Sequence, residues 1–301
     1  MRNKAFYALL ATVLLSGCSK DEGSTSQPTD GRVVLEATSG IKTRAYDNTW
    51  EANDAIGIYM LNGDDIDGNG NNRQYTTASE ATTGSFTAAA NDIIYLPMDG
   101  TKRNFIAYYP YRAILAEDNL YAIDVTTQTP QKTIDLMGAA KVEGKDKTDP
   151  AVAFIFTHKL VKLAITIQAD GTSLLNSQLA GTTATITNQQ TKATYNVVTG
   201  GNITVTEGGE AKEITLYTDR LKAEGIVLPA ASTEDMKLIF TVPLLNQTFS
   251  WSINSAEKSK TFEAGHKYLY TITISKSGLK VTSTVENWTP GNGNGENGNA
   301  Q

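Results

Sequence analysis

The sequence predicts an all-β protein built as an antiparallel sandwich, and three observations carry that expectation. Apolar residues recur with a period of two along most of the chain, the alternating runs are short and separated by Gly, Asn, Asp and Ser clusters, and threonine-rich stretches oppose helix. A period of two sends successive side chains to opposite faces, so each run reads as a half-buried strand. Strands at this spacing, bounded by turn residues, form a sandwich. Of the 301 residues, 40% are hydrophobic and 19% charged, a balance that buries a core rather than staying disordered. The length allows one large domain or two medium ones.

Residues 1–17 place basic Arg2 and Lys4 before an apolar run from Ala5 to Leu15 and small residues ahead of Cys18, the pattern of an export signal. At about 1.5 Å per residue the run covers roughly half of a ~30 Å hydrocarbon layer, so it is a signal segment and not a spanning helix. Leu15-Ser16-Gly17-Cys18 resembles the lipobox of bacterial lipoproteins, in which Cys18 would carry the lipid as the first mature residue. Ser19-Lys20-Asp21-Glu22 resembles the acidic export tag of surface lipoproteins, which implies an outer-membrane address facing outward. Residues 18–31 are rich in Ser, Thr, Pro, Asp and Gly and read as a flexible tether.

The first strand alternates Val33, Leu35 and Ala37 with Val34 and Glu36. In the aromatic run Phe105 to Tyr111, alternation puts Phe105, Ala107 and Tyr109 on one face, most simply the core. The polar stretch Val142 to Pro150 separates two strand-rich halves, which places the boundary between domains 32–149 and 150–290. Beyond it, strands are expected at Val161–Ile167, Ile203–Val205, Ile214–Leu216, Leu238–Val242, Phe249–Ile253, Tyr268–Ile274 and Leu279–Val285. The best helical stripe, Ser173 to Leu179, is short and weak. Residues 291–301 are nearly all Gly and Asn, a tail too poor in apolar groups to fold.

Composition excludes several chemistries. A net charge of −6 lacks the clustered positive charge that nucleic-acid phosphates require. One Cys and two His leave no disulfide framework, and little for a zinc site. Side-chain oxygens at Asp64, Asp65 and Asp67 among glycines are the donors a calcium ion takes. A hairpin loop has the same composition, and no Glu closes an EF-hand loop after Asp65, so no cofactor is expected. His158 and His266 lack companions at ligand spacing and suit strand-end hydrogen bonds. Neither G-x-S-x-G nor a P-loop is present, so no enzyme is expected. Trp50, Tyr108 and Trp288 offer a second reading, a surface that binds glycans through exposed aromatic rings.

Several segments in order along the chain resemble the fimbrillin family, specifically the Mfa-like group of Bacteroides-type surface lipoproteins. They are Thr43-Arg44-Ala45, Trp50 to Tyr59, Phe105 to Tyr111, Asp135-Leu136-Met137, Phe156 to Leu160, and Asn287-Trp288. The resemblance implies two transthyretin-like antiparallel β-sandwich domains, with Phe156 to Leu160 opening the second. It also implies a subunit of surface pili, in the shaft, at the tip or as the anchor, with a role in adhesion. In related pilins an arginine-specific surface protease cuts after the first strand, which leaves an open groove that a neighbour's strand fills. Here the cut would follow Arg44, with Arg32 a second candidate, and the removable strand would carry Val33, Leu35 and Ala37. The donor strand would carry Leu279, Val281 and Val285, unless it stays as the last strand of its own domain. The partners implied are other pilin subunits, the outer membrane through the lipid on Cys18, the protease, and a host or glycan ligand.

Overall fold

The computed structural model describes residues 32–41, 50–81, 83–206 and 211–288. The export signal, Cys18, the tether to residue 31, Arg44 and the Gly/Asn tail lie outside the described residues. The described chain is strands joined by turns and single 3-10 turns; the weak helical stripe becomes one such turn at Asn176–Leu179.

In the first half, hydrogen bonding passes from Arg103–Tyr109 to Met137–Ala139, Ala151–His158, Glu36–Ile41, Thr83–Ala88, Arg73–Thr77 and Ala55–Asn62. From there it returns to Arg103–Tyr109. The sheet therefore closes on itself, which removes the unpaired edges an open sheet exposes. Inside lie Leu35, Ala37, Trp50, Phe86, Phe105, Phe154 and Phe156. Pairing is antiparallel around this ring except at Glu36–Ile41, which runs parallel to Ala151–His158, with Ala37 opposite Val152 and Ser39 opposite Phe154.

The second half carries a five-stranded sheet, ordered Tyr217–Asp219, Lys222–Val227, Val161–Ala169, His266–Ser275 and Gly278–Asn287. Its partner is a four-stranded sheet of Lys212–Thr215, Thr183–Gln189, Lys237–Val242 and Gln247–Ser252. Ile165 and Ile272 of one sheet share a core with Ile186 and Phe240 of the other. Here too the first strand, Val161–Ala169, runs parallel to a late one, His266–Ser275.

The expected boundary at 149/150 falls inside the first ring. Ala151–His158 is bonded to Met137–Ala139 and Glu36–Ile41, and its Val152, Phe154 and Phe156 fill the first core. The polar stretch that suggested a linker contains the strand Val142–Lys145 and a turn bridged between Asp146 and Asp149. Charge marks exposure to water, and a hairpin is as exposed as a linker. The halves also interlock, since Leu120–Asp124 pairs with Lys192–Asn196 and sends Tyr121 and Ile123 into the second core.

That second core covers the back of the first sheet. Phe105, Ala107 and Tyr109 face the ring interior as alternation predicts, while Ile106 and Tyr108 on the opposite face are buried against the second half. Trp50 and Tyr108 are both 0% exposed, so neither is a surface ring for stacking on sugars. The aromatic glycan platform is corrected: these rings are core.

Candidate functional site

The strand that closes the ring, Glu36–Ile41, carries Ala37 of the segment that the sequence led us to expect as removable. Just upstream, Val33 and Val34 pair with Leu96 and Tyr95, and the Arg32 guanidinium lies 4.0 Å from the centre of the Tyr95 ring. Leu35 N donates to Ile94 O at 3.0 Å and Glu36 N to Pro150 O at 3.1 Å. From there both edges of the strand are paired, to Ala151–His158 on one side and Thr83–Ala88 on the other.

Leu35 and Ala37 are buried, and Val33 is half-buried. Full burial of one leucine gives roughly 1.5–3 kcal/mol and a methyl about 0.8, so Leu35 and Ala37 together supply roughly 2–4 kcal/mol of apolar hold. The Ser39 hydroxyl is buried without a hydrogen-bond partner among the described residues, which subtracts from that hold. Ser39 pairs with Gly84, and the space around the pair is taken: a Cβ on Gly84 would stand 2.6 Å from the Phe86 ring and 2.9 Å from the Trp50 ring. Main-chain pairing holds the strand along both edges, and main-chain pairing does not depend on sequence.

Trp50 stands just after the undescribed residues 42–49, which include Arg44. It is fastened independently of the closing strand. Its N donates to Ala81 O at 2.9 Å, Ala81 N returns a bond at 3.1 Å, and its indole meets Phe86, Tyr109 and Phe156 edge-on at 5.0, 5.3 and 5.5 Å. The segment between Ile41 and Trp50 thus links the closing strand to a firmly held anchor.

At the other end of the chain, Gly278–Asn287 pairs along its whole length with His266–Ser275 and forms the edge of its own sheet. Leu279, Val281 and Val285 pack on the second core while Lys280, Thr282, Thr284 and Glu286 face solvent. Trp288 completes the strand, its N donating to Gly265 O at 2.7 Å and its ring stacked on His158 with centroids 3.6 Å apart and planes 2° from parallel.

His158 Nδ1 lies 2.7 Å from Asp135 Oδ1, with both side chains buried. No spacing rule links residues so far apart, so the sequence offers no companion for His158. The one available signal was that Asp135 and His158 sit in segments that resemble the same family. Those segments in fact converge: Met137 pairs with both Tyr109 and His158, Trp50 meets Tyr109 and Phe156, and Trp288 caps His158. Nearby, Tyr109 Oη donates to Asp54 Oδ1 at 3.1 Å, and burial raises the pKa of both groups.

The acidic loop is knitted by its own neighbours. Asp67 accepts from Asn69 N at 3.1 Å and Arg103 Nε at 2.9 Å, while Asp64 takes the Lys141 ammonium at 2.9 Å. Among the described residues no cluster of three or more His, Cys, Asp or Glu is placed to hold a metal ion. His266 ends a turn, with Nδ1 3.2 Å from Ala264 O.

The model of the fimbrillin-like family matches residues 43–288. Over 297 residues the chain is 71% identical to a Bacteroides uniformis protein named as fimbrium subunit Fim1C, covering 98% of this chain and 97% of that one. A crystal structure of a Bacteroides uniformis protein described as a cell adhesion protein is 68% identical and superposes with a TM-score of 0.83, covering 87% of this chain and 100% of that one. A Bacteroides ovatus structure, also described as a cell adhesion protein, shares the fold at 20% identity and a TM-score of 0.70, over 87% and 99% of the two chains. The extent of the family match and the identity to Fim1C settle the classification: this chain belongs to the fimbrillin-like family.

Proposed function

We propose that the protein is a structural subunit of a surface fimbria, exported as a lipoprotein anchored through Cys18 and assembled by exchange of its N-terminal strand. The subunit role is supported by family membership and by the name of the 71% identical relative. One observation carries the exchange step: Glu36–Ile41 is the strand that closes the first ring, bonded on both edges, with Ala37 and, just upstream, Leu35 in the apolar core. A cut after Arg44 would sever its covalent link to Trp50. Its departure would bare the facing edges of Ala151–His158 and Thr83–Ala88 above Phe86, Phe154 and Phe156, an open slot for a strand from the next subunit. Such a subunit needs no catalytic residues; its partners are other subunits, the outer membrane and an arginine-specific protease.

The test is Arg44→Ala in cells that make the protein, followed by electron microscopy and immunoblotting of surface fractions. The expected outcome is uncut protein at the surface and loss of the filaments that contain it. Normal filaments from the variant, and from Arg32→Ala combined with it, would overturn strand exchange while leaving the subunit role standing.

A further inference from the structure

A cavity of about 700 Å³ opens where the two halves meet, within the size range of small-molecule sites. Leu61, Ile106 and Lys141 border it from the first half, Tyr195 and Thr199 from the second, and Lys159 from the link between them.

Two hydrogen-bond donors in its wall make no hydrogen bond among the described residues. Lys159 makes no ion pair or hydrogen bond among the described residues; its ammonium lies 5.4 Å from the centre of the Tyr195 ring, and burial alone lowers its pKa. Tyr195 is only 2% exposed, yet its hydroxyl makes no hydrogen bond among the described residues. The two groups are neighbours above Gly138, where a Cβ would collide with the Tyr195 hydroxyl and stand 2.7 Å from Lys159 Cε. Glycine there keeps the space in which both donors sit. The other cation of the cavity is already neutralised, since Lys141 holds Asp64 at 2.9 Å and Glu143 at 3.4 Å.

One free positive charge beside one free hydroxyl matches a single carboxylate; a doubly charged phosphate would call for a second free cation. Around this pair the wall is mixed. Ile106 and Val198 offer an apolar face, while Thr199 and the Lys141–Asp64 pair offer groups that exchange hydrogen bonds with hydroxyls. We propose that the cavity binds a small polyhydroxylated acid, a sugar of the uronic or sialic type, with Lys159 and Tyr195 holding its carboxylate. None of these residues lies on Glu36–Ile41, so the site stands or falls independently of strand exchange.

The test is calorimetric titration of the full-length protein with glucuronate and N-acetylneuraminate, beside glucose as the neutral match and acetate as a carboxylate without hydroxyls. At least one acidic sugar should bind saturably, with glucose silent and acetate about tenfold weaker or more. Lys159→Met should weaken the acidic sugar about tenfold, Tyr195→Phe several-fold, and Lys280→Met, on the solvent face of the C-terminal strand, not at all. Tyr195→Phe removes only a hydroxyl that makes no hydrogen bond among the described residues, so it tests the site even if Lys159→Met fails to fold. No saturable binding of either acid, or binding unaltered by the folded variants, would overturn the proposal. Acetate binding as tightly as the sugars would overturn the sugar assignment.

Discussion

The strands at the two ends of the described chain are held in opposite ways. Glu36–Ile41 is bonded on both edges within a closed ring and is short, with Ala37 and, just upstream, Leu35 buried in the ring. Gly278–Asn287 is bonded on one edge only, yet it is longer, continuous through a hairpin with its partner, and pinned by three apolar side chains and the stack of Trp288 on His158. Backbone pairing is available to any extended segment, whereas side-chain packing is specific to one, so under the proposed exchange the ring strand would be the one replaced while the edge strand stays with its sheet.

Substitutions at the two strands separate these modes of attachment. The largest effect is expected from Leu35→Asp, which buries a carboxylate in the apolar ring at a cost of about 3–5 kcal/mol unless it protonates. Melting temperature should fall sharply in the intact protein, and the defect should disappear after arginine-specific trimming, because the substitution leaves with the strand. A defect undiminished by trimming would show that the strand stays. Trp288→Ala should cost about 2–3 kcal/mol through loss of the stack and its packing, a loss that trimming does not relieve. Urea denaturation before and after protease gives both values.

Gly84→Ala discriminates within the ring itself. The added methyl would press on Phe86 and Trp50, which remain after the strand departs, so about 1–2 kcal/mol should be lost in both trimmed and intact protein. If trimming rescues this variant as it rescues Leu35→Asp, the strain lies in the departing strand and the slot is looser than its geometry.

The smallest effect concerns the turn that braces the C-terminal hairpin. The Asp170 carboxylate accepts from the Ser173 hydroxyl at 2.7 Å, Leu174 N at 2.9 Å and the Thr172 hydroxyl at 2.9 Å, and Ser173 Oγ in turn accepts from Lys276 N at 3.1 Å. These bonds, the Ser173 hydroxyl foremost, hold its carboxyl well below the usual carboxylate range. A group depressed in the folded state stabilises above its unfolded pKa of about 3.9, and that contribution fades as pH falls toward the folded value. Asp170→Asn should therefore melt below wild type at pH 7, and the gap should narrow as pH drops from about 5 to about 2. A gap independent of pH would mean the carboxylate charge plays no part in the turn.

Much of this molecule is local and was legible in the sequence. A pleated strand with water on one side and a core on the other requires alternation, and Leu279, Val281 and Val285 turn inward as the pattern demands. Leu35 and Ala37 were likewise readable as buried before any partner for them was known. Their neighbours were not. Alternation states which face is apolar but is silent on which strand lies alongside, so the parallel insertion beside Ala151–His158 and the closure of the ring depended on the tertiary structure. The same limit hid the burial of Trp50 and Tyr108, whose covering residues come from distant segments, and the placement of Ala151–His158 in the first sheet rather than the second. It hid the Asp135–His158 pair and the meeting of Lys159 with Tyr195 as well. The periodicity of a strand is set by its own backbone and its contact with water, while partners, register and clefts arise when segments far apart in the chain close on one another.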